Sequence, residues 1–223
     1  ISTNHLFVTN PGGSFSTHTF RSADIDSMHI LFLMISFAAA TYLHRRPAAI
    51  ICGIAAGLSI LSKSPLGILP LLMATTLQLT KSTKHHMGLA WISAAATILP
   101  WYIWMSMRFG ASFLTTHFGY HLATRISLPL DGHDKPLWYY IKVLTGRHFF
   151  LSWEWLVASA VYLYLQKSFR DTRIHYVFAM TLATLIIPTL TSTKLAWYLL
   201  PFYPFAALIM GAATAGLLKP KKV

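Results

Sequence analysis

Seven apolar runs, separated by short polar connections, constrain the fold of this 223-residue chain more than any other feature. A helix needs about 20 apolar residues to span a bilayer, and several runs are shorter, so we expect some helices to be tilted or buried in a bundle. Only 11% of the residues are charged, against about a quarter in soluble domains. The sequence therefore predicts an all-α, polytopic transmembrane bundle of about seven helices, at about 27–43, 48–62, 66–80, 88–106, 149–166, 174–190 and 195–217.

The basic residues predict how this bundle is oriented. Lys and Arg outnumber Asp and Glu by 18 to 6, but they occur in short clusters between the apolar runs and not along one continuous face. We therefore expect membrane lipids or a phosphate group as partners, and no nucleic acid. Every second connection is basic, and the positive-inside rule places these connections in the cytoplasm. The other connections are then extracytoplasmic, including a long loop at about 107–148.

Two of the six acidic residues, Asp24 and Asp26, lie side by side at the start of the first apolar run. One interpretation is structural: Asp26 accepts hydrogen bonds from the free N–H groups of the helix start, and Asp24 pairs with Arg21. The other is functional: the two carboxylates bind a divalent metal ion or position the hydroxyl group of an acceptor. The residues alone leave both interpretations open.

Lys63 in LSKSPLG and Lys194 in TSTKLAWY each lie between two apolar runs, on the predicted extracytoplasmic side. The simplest interpretation is that each ammonium group extends to the lipid headgroups. The alternative is that the two lysines, together with an arginine, bind the phosphate of a lipid. Their shared side of the membrane strengthens the second interpretation, and both stay open.

Residues 117–140 form the densest group of polar side chains in the chain. Arg125 is suited to bidentate phosphate binding, and His121 and His133 can exchange protons near neutral pH. His117 and His121 have the i, i+4 spacing of a metal-binding pair on a helix. For His117, an interfacial position on an amphipathic helix is the alternative interpretation.

Five stretches occur in order along the chain. RSADIDSMHILF is close to R-x-x-D-x-D-x-x-L-x-x-F, and GLSILSKSPLGILPLL is close to G-L-x-x-x-T-K-G-x-x-x-L-x-P. ILPWYIW, the span from Arg125 to Tyr140, and TSTKLAWYLLPFYPFAALIMG are close to V-L-P-W, R-x7-H-x-x-P-x-W-Y-Y and S-x-x-K-x-x-x-Y-x-L-P. Together they resemble the bacterial membrane glycosyltransferases of the protein O-mannosyltransferase superfamily, in particular the branch that transfers aminoarabinose to lipid A.

The resemblance implies a GT-C type fold, with residues 1–223 forming one partial integral-membrane domain that lacks its N-terminal part. It implies an enzyme of a bacterial inner membrane, a hexosyl- or pentosyltransferase whose site faces the extracytoplasmic side. Such an enzyme transfers a sugar from a polyprenyl-phosphate donor to an acceptor (lipid A, a protein or a glycan) with inversion. The alternative function is that of a non-catalytic membrane transporter or lipid flippase.

The resemblance also implies roles for individual residues. Arg125 is expected to bind the donor phosphate, with Lys63 and Lys194 as helpers. His133 matches the histidine of the fourth motif, and Tyr198 matches the tyrosine of the fifth, so both are expected in the site.

The expected carboxylates have a supporting role. By the resemblance, Asp26 and its neighbour Asp24 assist catalysis, while the main catalytic acid is expected in an extracytoplasmic loop that precedes this segment. If a divalent metal ion is used, its expected ligands are Asp24, Asp26 and His121.

Overall fold

The computed structural model of the chain describes residues 25–78, 86–129, 135–146, 152–168 and 171–218. Each of the seven apolar runs forms a helix there, which confirms the predicted all-α membrane bundle. The α-helices are α1 (Ile25–Ala40), α2 (Arg46–Ser62), α3 (Leu69–Gln78), α4 (Met87–Leu114), α5 (Arg125–Ser127), α6 (Tyr139–Thr145), α7 (Ser152–Leu165), α8 (Thr172–Leu190) and α9 (Phe202–Leu217).

Several of these helices are suited to a membrane. In the described part of the chain, three are long and apolar enough to cross a bilayer: Met87–Tyr120, Thr172–Leu190 and Ala196–Leu217. Shorter apolar helices, α1 and α2 among them, pack beside these spans. The protein is therefore a membrane protein, and its short helices reach their place in the bilayer as members of a bundle.

The break between α2 and α3 follows from the sequence SKSP. Pro65 has no backbone N–H and disfavours helical geometry in the residue before it, so α2 ends at Ser62. A 3₁₀ turn, Pro65–Ile68, then leads into α3, and the Ser64 hydroxyl accepts a hydrogen bond from the N–H of Leu66 at 3.2 Å. Lys63 is thereby left between two helices.

Helix α2 is packed between α1 and α4. Small residues allow a close approach to α4: a Cβ atom added at Gly53 would lie 2.1 Å from the carbonyl oxygen of Ala90. Gly57, one turn further along, faces Thr97 in the same way. The two glycines form a G-x-x-x-G pattern, which permits backbones to approach closely in membrane bundles.

The second half of the bundle is built around α9, which packs on both α7 and α8. An aromatic cluster joins it to the first half. The ring of Phe37 in α1 stacks on Tyr176 in α8 at 4.6 Å and meets Phe205 in α9 edge-on at 5.1 Å. The hydroxyl of Tyr176 also donates to the carbonyl of Pro70 at 2.5 Å. One continuous core therefore connects the two halves.

Helix α4 is longer than the predicted run at about 88–106. It continues to Leu114 with a sharp kink at Gly110, whose φ of 56° is accessible mainly to glycine. A π-helix, Thr115–Thr124, follows directly. Across the kink, Trp101 packs against Phe113 at 5.5 Å. The first half of the predicted extracytoplasmic loop is therefore helical and folds back on α4.

The connections gather at two opposite ends of the bundle. At one end, a cavity of about 390 Å³ is lined by Thr41 and His44 after α1, by Leu77, and by Arg173 at the start of α8. At the other end lie the start of α1, the end of α2 and the turn before α9. This separation agrees with the alternation of basic and non-basic connections. The assignment of either end to the cytoplasm stays a prediction.

Candidate functional site

The centre of the candidate site is an ion pair between two of the predicted residues. Asp26 lies in the first turn of α1, and Lys63 is the residue that follows α2. The ammonium group of Lys63 donates a hydrogen bond to Oδ1 of Asp26. The side chain of Lys63 is only 20% exposed, and that of Asp26 only 6%. Because a buried charge is costly without a partner of opposite sign, each side chain lowers the free-energy cost of burying the other.

Tyr198 completes this group. It lies in the 3₁₀ turn Ala196–Leu199 before α9, and its ring centroid is 6.0 Å from the ammonium nitrogen of Lys63. An aromatic face at this distance attracts a cation. The structure thus brings together three predicted site residues, Asp26, Lys63 and Tyr198, from three separate elements.

A second pair of polar residues lies one turn deeper between the same two helices. His29 follows Asp26 by three residues, and Ser59 precedes Lys63 by four. The Nδ1 atom of His29 is 3.0 Å from both the carbonyl oxygen and the hydroxyl of Ser59. The Ser59 hydroxyl in turn donates to the carbonyl of His29 at 2.9 Å. These bonds fix α1 against α2 directly beneath the ion pair.

His29 and Ser59 were not predicted from the sequence. A single histidine on an apolar helix is usually a core residue, and no spacing singled it out. One signal was present: the motif R-x-x-D-x-D-x-x-L-x-x-F has leucine at the position that His29 occupies. A polar residue in place of an apolar one, one turn after Asp26, could have identified it.

Lys194 is buried, with 5% of its surface exposed, in the connection between α8 and the following 3₁₀ turn. Its ammonium group donates to the carbonyl of Thr191 at 2.7 Å. Lys194 therefore stabilises the connection that contains it. Its role in binding a phosphate stays a prediction.

The connection that contains Lys194 is tied to the predicted extracytoplasmic loop. The N–H of Ser192 donates to the carbonyl of Ile126 at 3.0 Å, and the hydroxyl of Thr193 donates to the carbonyl of Leu128 at 3.0 Å. These bonds place α5, which begins with Arg125, beside the segment of Lys194. The side chain of Arg125 lies outside the described part of the structure, so its phosphate contact stays a prediction.

Tyr140, the last residue of the Arg125–Tyr140 motif, anchors α6 to the same connection. Its ring is 1% exposed, and its hydroxyl donates to the carbonyl of Leu195 at 3.0 Å. Burial raises the pKa of this hydroxyl, so it remains a donor at any ordinary pH. The motif therefore has a structural role: it joins α6 to the segment between Lys194 and Tyr198.

The structure leaves the predicted metal site untested. Asp24 and His133 fall outside the described residues, as does the side chain of His121. Among the residues that are described, no three His, Cys, Asp or Glu side chains lie close enough to hold a metal ion. His117 has a structural role: its Nε2 atom is 2.9 Å from the hydroxyl of Tyr102, and its ring stacks on Phe113 at 5.3 Å.

An apolar groove lies next to the end of α2. Its volume is about 810 Å³, and it runs between the end of α2, the turn after Lys63 and the outer part of α4. Ile60 and Pro65, on either side of Lys63 in the sequence, line it together with Tyr102 and Phe118. The groove therefore begins within a few residues of Lys63 and has the volume and the apolar lining to hold a hydrocarbon chain.

Comparison with known proteins gives one informative likeness. No family model matches the chain, and no curated protein matches it either. The fold is similar to the crystal structure of ArnT from Cupriavidus metallidurans bound to undecaprenyl phosphate, with a TM-score of 0.61 and 20% sequence identity over 91% of this chain. The chain spans 36% of the length of that protein. We conclude that the chain is an all-α membrane helix bundle whose fold is similar to that of part of ArnT.

Proposed function

We propose that the protein transfers a sugar from a polyprenyl-phosphate donor to an acceptor hydroxyl at the membrane surface. The observation that carries this proposal is the buried Asp26–Lys63 pair beside Tyr198, together with an apolar groove that is lined by Ile60 and Pro65, on either side of Lys63 in the sequence. A polyprenyl phosphate has one anionic group and one long hydrocarbon chain. A fixed cation next to an apolar groove complements both parts of such a molecule.

The likeness to ArnT supports the same class of ligand, because that structure was determined with undecaprenyl phosphate bound. Our proposal extends this ligand to the present chain. The phosphate would bind Lys63, with Arg125 and Lys194 as the further cations that the sequence predicts. The prenyl chain would lie along the groove between α2 and α4.

In the proposed reaction, the cations stabilise the negative charge of the leaving group. The acceptor oxygen forms a bond to the anomeric carbon, and the bond between that carbon and the phosphate oxygen breaks, with inversion. Negative charge then builds up on the departing polyprenyl phosphate. A preorganised ammonium group stabilises this charge where water is excluded.

The proton of the acceptor hydroxyl must pass to a base. We assign Asp26 a supporting role, because its Oδ1 atom is already bonded to Lys63. Proton abstraction then falls to another carboxylate, which the resemblance places in a loop preceding this segment. The acceptor class, the inner-membrane location and the extracytoplasmic orientation are parts of the same proposal.

The test is a transfer assay with the full-length protein in lipid vesicles, using polyprenyl phosphates that carry a hexose or a pentose. We expect a new glycosidic product with the wild-type protein, and its loss in Arg125→Ala and Asp26→Asn at equal amounts of inserted protein. Undiminished transfer in both variants would overturn the site assignment. Movement of the lipid between leaflets without a new glycosidic bond would favour a transporter or flippase.

A further inference from the structure

The end of helix α2 depends on a side chain from another helix. The last carbonyl groups of an α-helix have no partner within the helix and need one from elsewhere. In α2, the carbonyl of Ser59 accepts from the N–H of Lys63 at 3.4 Å, which is long for a backbone hydrogen bond. The Nδ1 atom of His29 approaches the same carbonyl at 3.0 Å and is therefore its better partner.

We assign the hydrogen of the His29 ring to Nδ1 from its contact with the carbonyl of Ser59. A carbonyl oxygen can only accept, so Nδ1 must be the donor in the bond to Ser59. The hydroxyl of Ser59 directs its own hydrogen to the carbonyl of His29 at 2.9 Å. The Nε2 atom is buried and has no hydrogen-bond partner among the described residues. The imidazole is therefore held from its Nδ1 side, by the end of α2.

The bond between His29 and Ser59 lies at the point where the chain leaves α2. Lys63 has a φ of −156°, so the helix ends immediately after the capped turn. The side chain of Lys63 then has to reach Asp26, one turn away from His29 on α1. Loss of the cap would allow the last turn of α2 to loosen and the ammonium group to shift.

We propose that His29 is a positioning residue for Lys63: its Nδ1–H caps α2 and so fixes the ammonium group in the direction of the donor phosphate. This inference rests on the proposed function, since it assigns His29 an effect on the binding of a polyprenyl phosphate. His29 itself contacts no substrate in this account.

The structure offers a matched control for this role. Ser36 is fully buried in α1, and its hydroxyl donates to the carbonyl of Cys52 in α2 at 3.0 Å. This is the same kind of bond between the same two helices, but it lies about two turns further from the ion pair. A variant at Ser36 therefore shows how much affinity is lost when any one buried hydrogen bond between α1 and α2 is removed.

The experiment measures the dissociation constant for undecaprenyl phosphate, titrated into the purified full-length protein in detergent and followed by tryptophan fluorescence. We expect His29→Leu to weaken binding about tenfold, which corresponds to about 1.4 kcal/mol. His29→Asn is smaller but keeps an N–H donor near the position of Nδ1, so it should remain within about threefold of the wild type. Ser36→Ala should leave the constant unchanged.

The decisive arm repeats His29→Leu in a Lys63→Ala background. If His29 acts through Lys63, His29→Leu causes no further loss of affinity once Lys63 has been replaced by alanine. An equal tenfold loss in both backgrounds would overturn the positioning role, as would wild-type affinity in His29→Leu. If His29→Leu yields no folded protein, Ser59→Ala replaces it. That variant keeps the capped carbonyl and should bind within about twofold of the wild type, and a tenfold loss would overturn the proposal.

The outcomes also separate this inference from the function on which it rests. If the wild-type protein shows no saturable binding of undecaprenyl phosphate, the proposed function is wrong. If the wild type binds and His29→Leu binds equally well, only the role of His29 is wrong.

Discussion

The carboxylate of Asp26, in the first turn of α1, accepts a hydrogen bond from the ammonium group of Lys63, which follows the last turn of α2. The two side chains are largely buried, and the ring of Tyr198 lies beside the ammonium group. The pair therefore has two consequences. It contributes to the packing of α1 against α2, and it fixes a cation in a turn whose neighbouring residues, Ile60 and Pro65, line an apolar groove.

The first prediction concerns the stability of this pair. Asp26→Ala leaves the charge of Lys63 without its buried partner, and such a loss costs about 3–5 kcal/mol. The double variant Asp26→Leu with Lys63→Met removes both charges and should recover most of that stability. Thermal unfolding of the protein in detergent, followed by fluorescence, measures the difference. Equal melting temperatures for Asp26→Ala and the wild type would show that the pair is not formed.

The second prediction concerns Tyr140. Tyr140→Phe removes the bond to the carbonyl of Leu195 and leaves that buried acceptor unsatisfied, so we expect a loss of about 1–3 kcal/mol. Tyr139→Phe is the control, because Tyr139 is adjacent and half-buried, and its hydroxyl makes no such bond to another described residue. Thermal unfolding compares the two variants. A larger loss in Tyr139→Phe would contradict the role given to the motif that ends at Tyr140.

The third prediction concerns the contact between α2 and α4. An added Cβ atom at Gly53 would lie 2.1 Å from the carbonyl oxygen of Ala90, so Gly53→Ala forces the helices apart at a cost of about 1–3 kcal/mol. Gly88→Ala, in α4, meets no atom within 4 Å and should be neutral or stabilising. The measurement is the melting temperature of each variant. An unchanged melting temperature in Gly53→Ala would mean that α2 and α4 pack less closely than described.

Much of the fold could be predicted because hydrophobicity is a local property of the sequence. The run that became α1 and the break between the runs at about 48–62 and 66–80 were both predicted from the distribution of apolar residues alone. The extension of α4 was not, because the kink at Gly110 depends on aromatic contacts such as Trp101 with Phe113. These contacts join residues that are separated in the sequence.

The candidate site was predicted only in part, because its contacts also join residues that are far apart in the sequence. The pattern of charges placed Asp26 and Lys63 on the same side of the membrane, but only the fold shows that they bind each other. Their predicted roles, a metal ligand and a phosphate ligand, were assigned separately. His29 was missed because its function depends on the end of another helix, which no spacing along α1 reveals.

The most direct test of the account is the affinity of the full-length protein for undecaprenyl phosphate in Lys63→Ala, compared with Lys142→Ala. Lys142 is an exposed lysine of α6, also in the predicted extracytoplasmic region, and controls for general attraction of an anionic lipid. We predict saturable binding by the wild type, a loss of about tenfold or more in Lys63→Ala, and no change in Lys142→Ala. Equal affinities in the two variants, or no saturable binding by the wild type, would contradict the account.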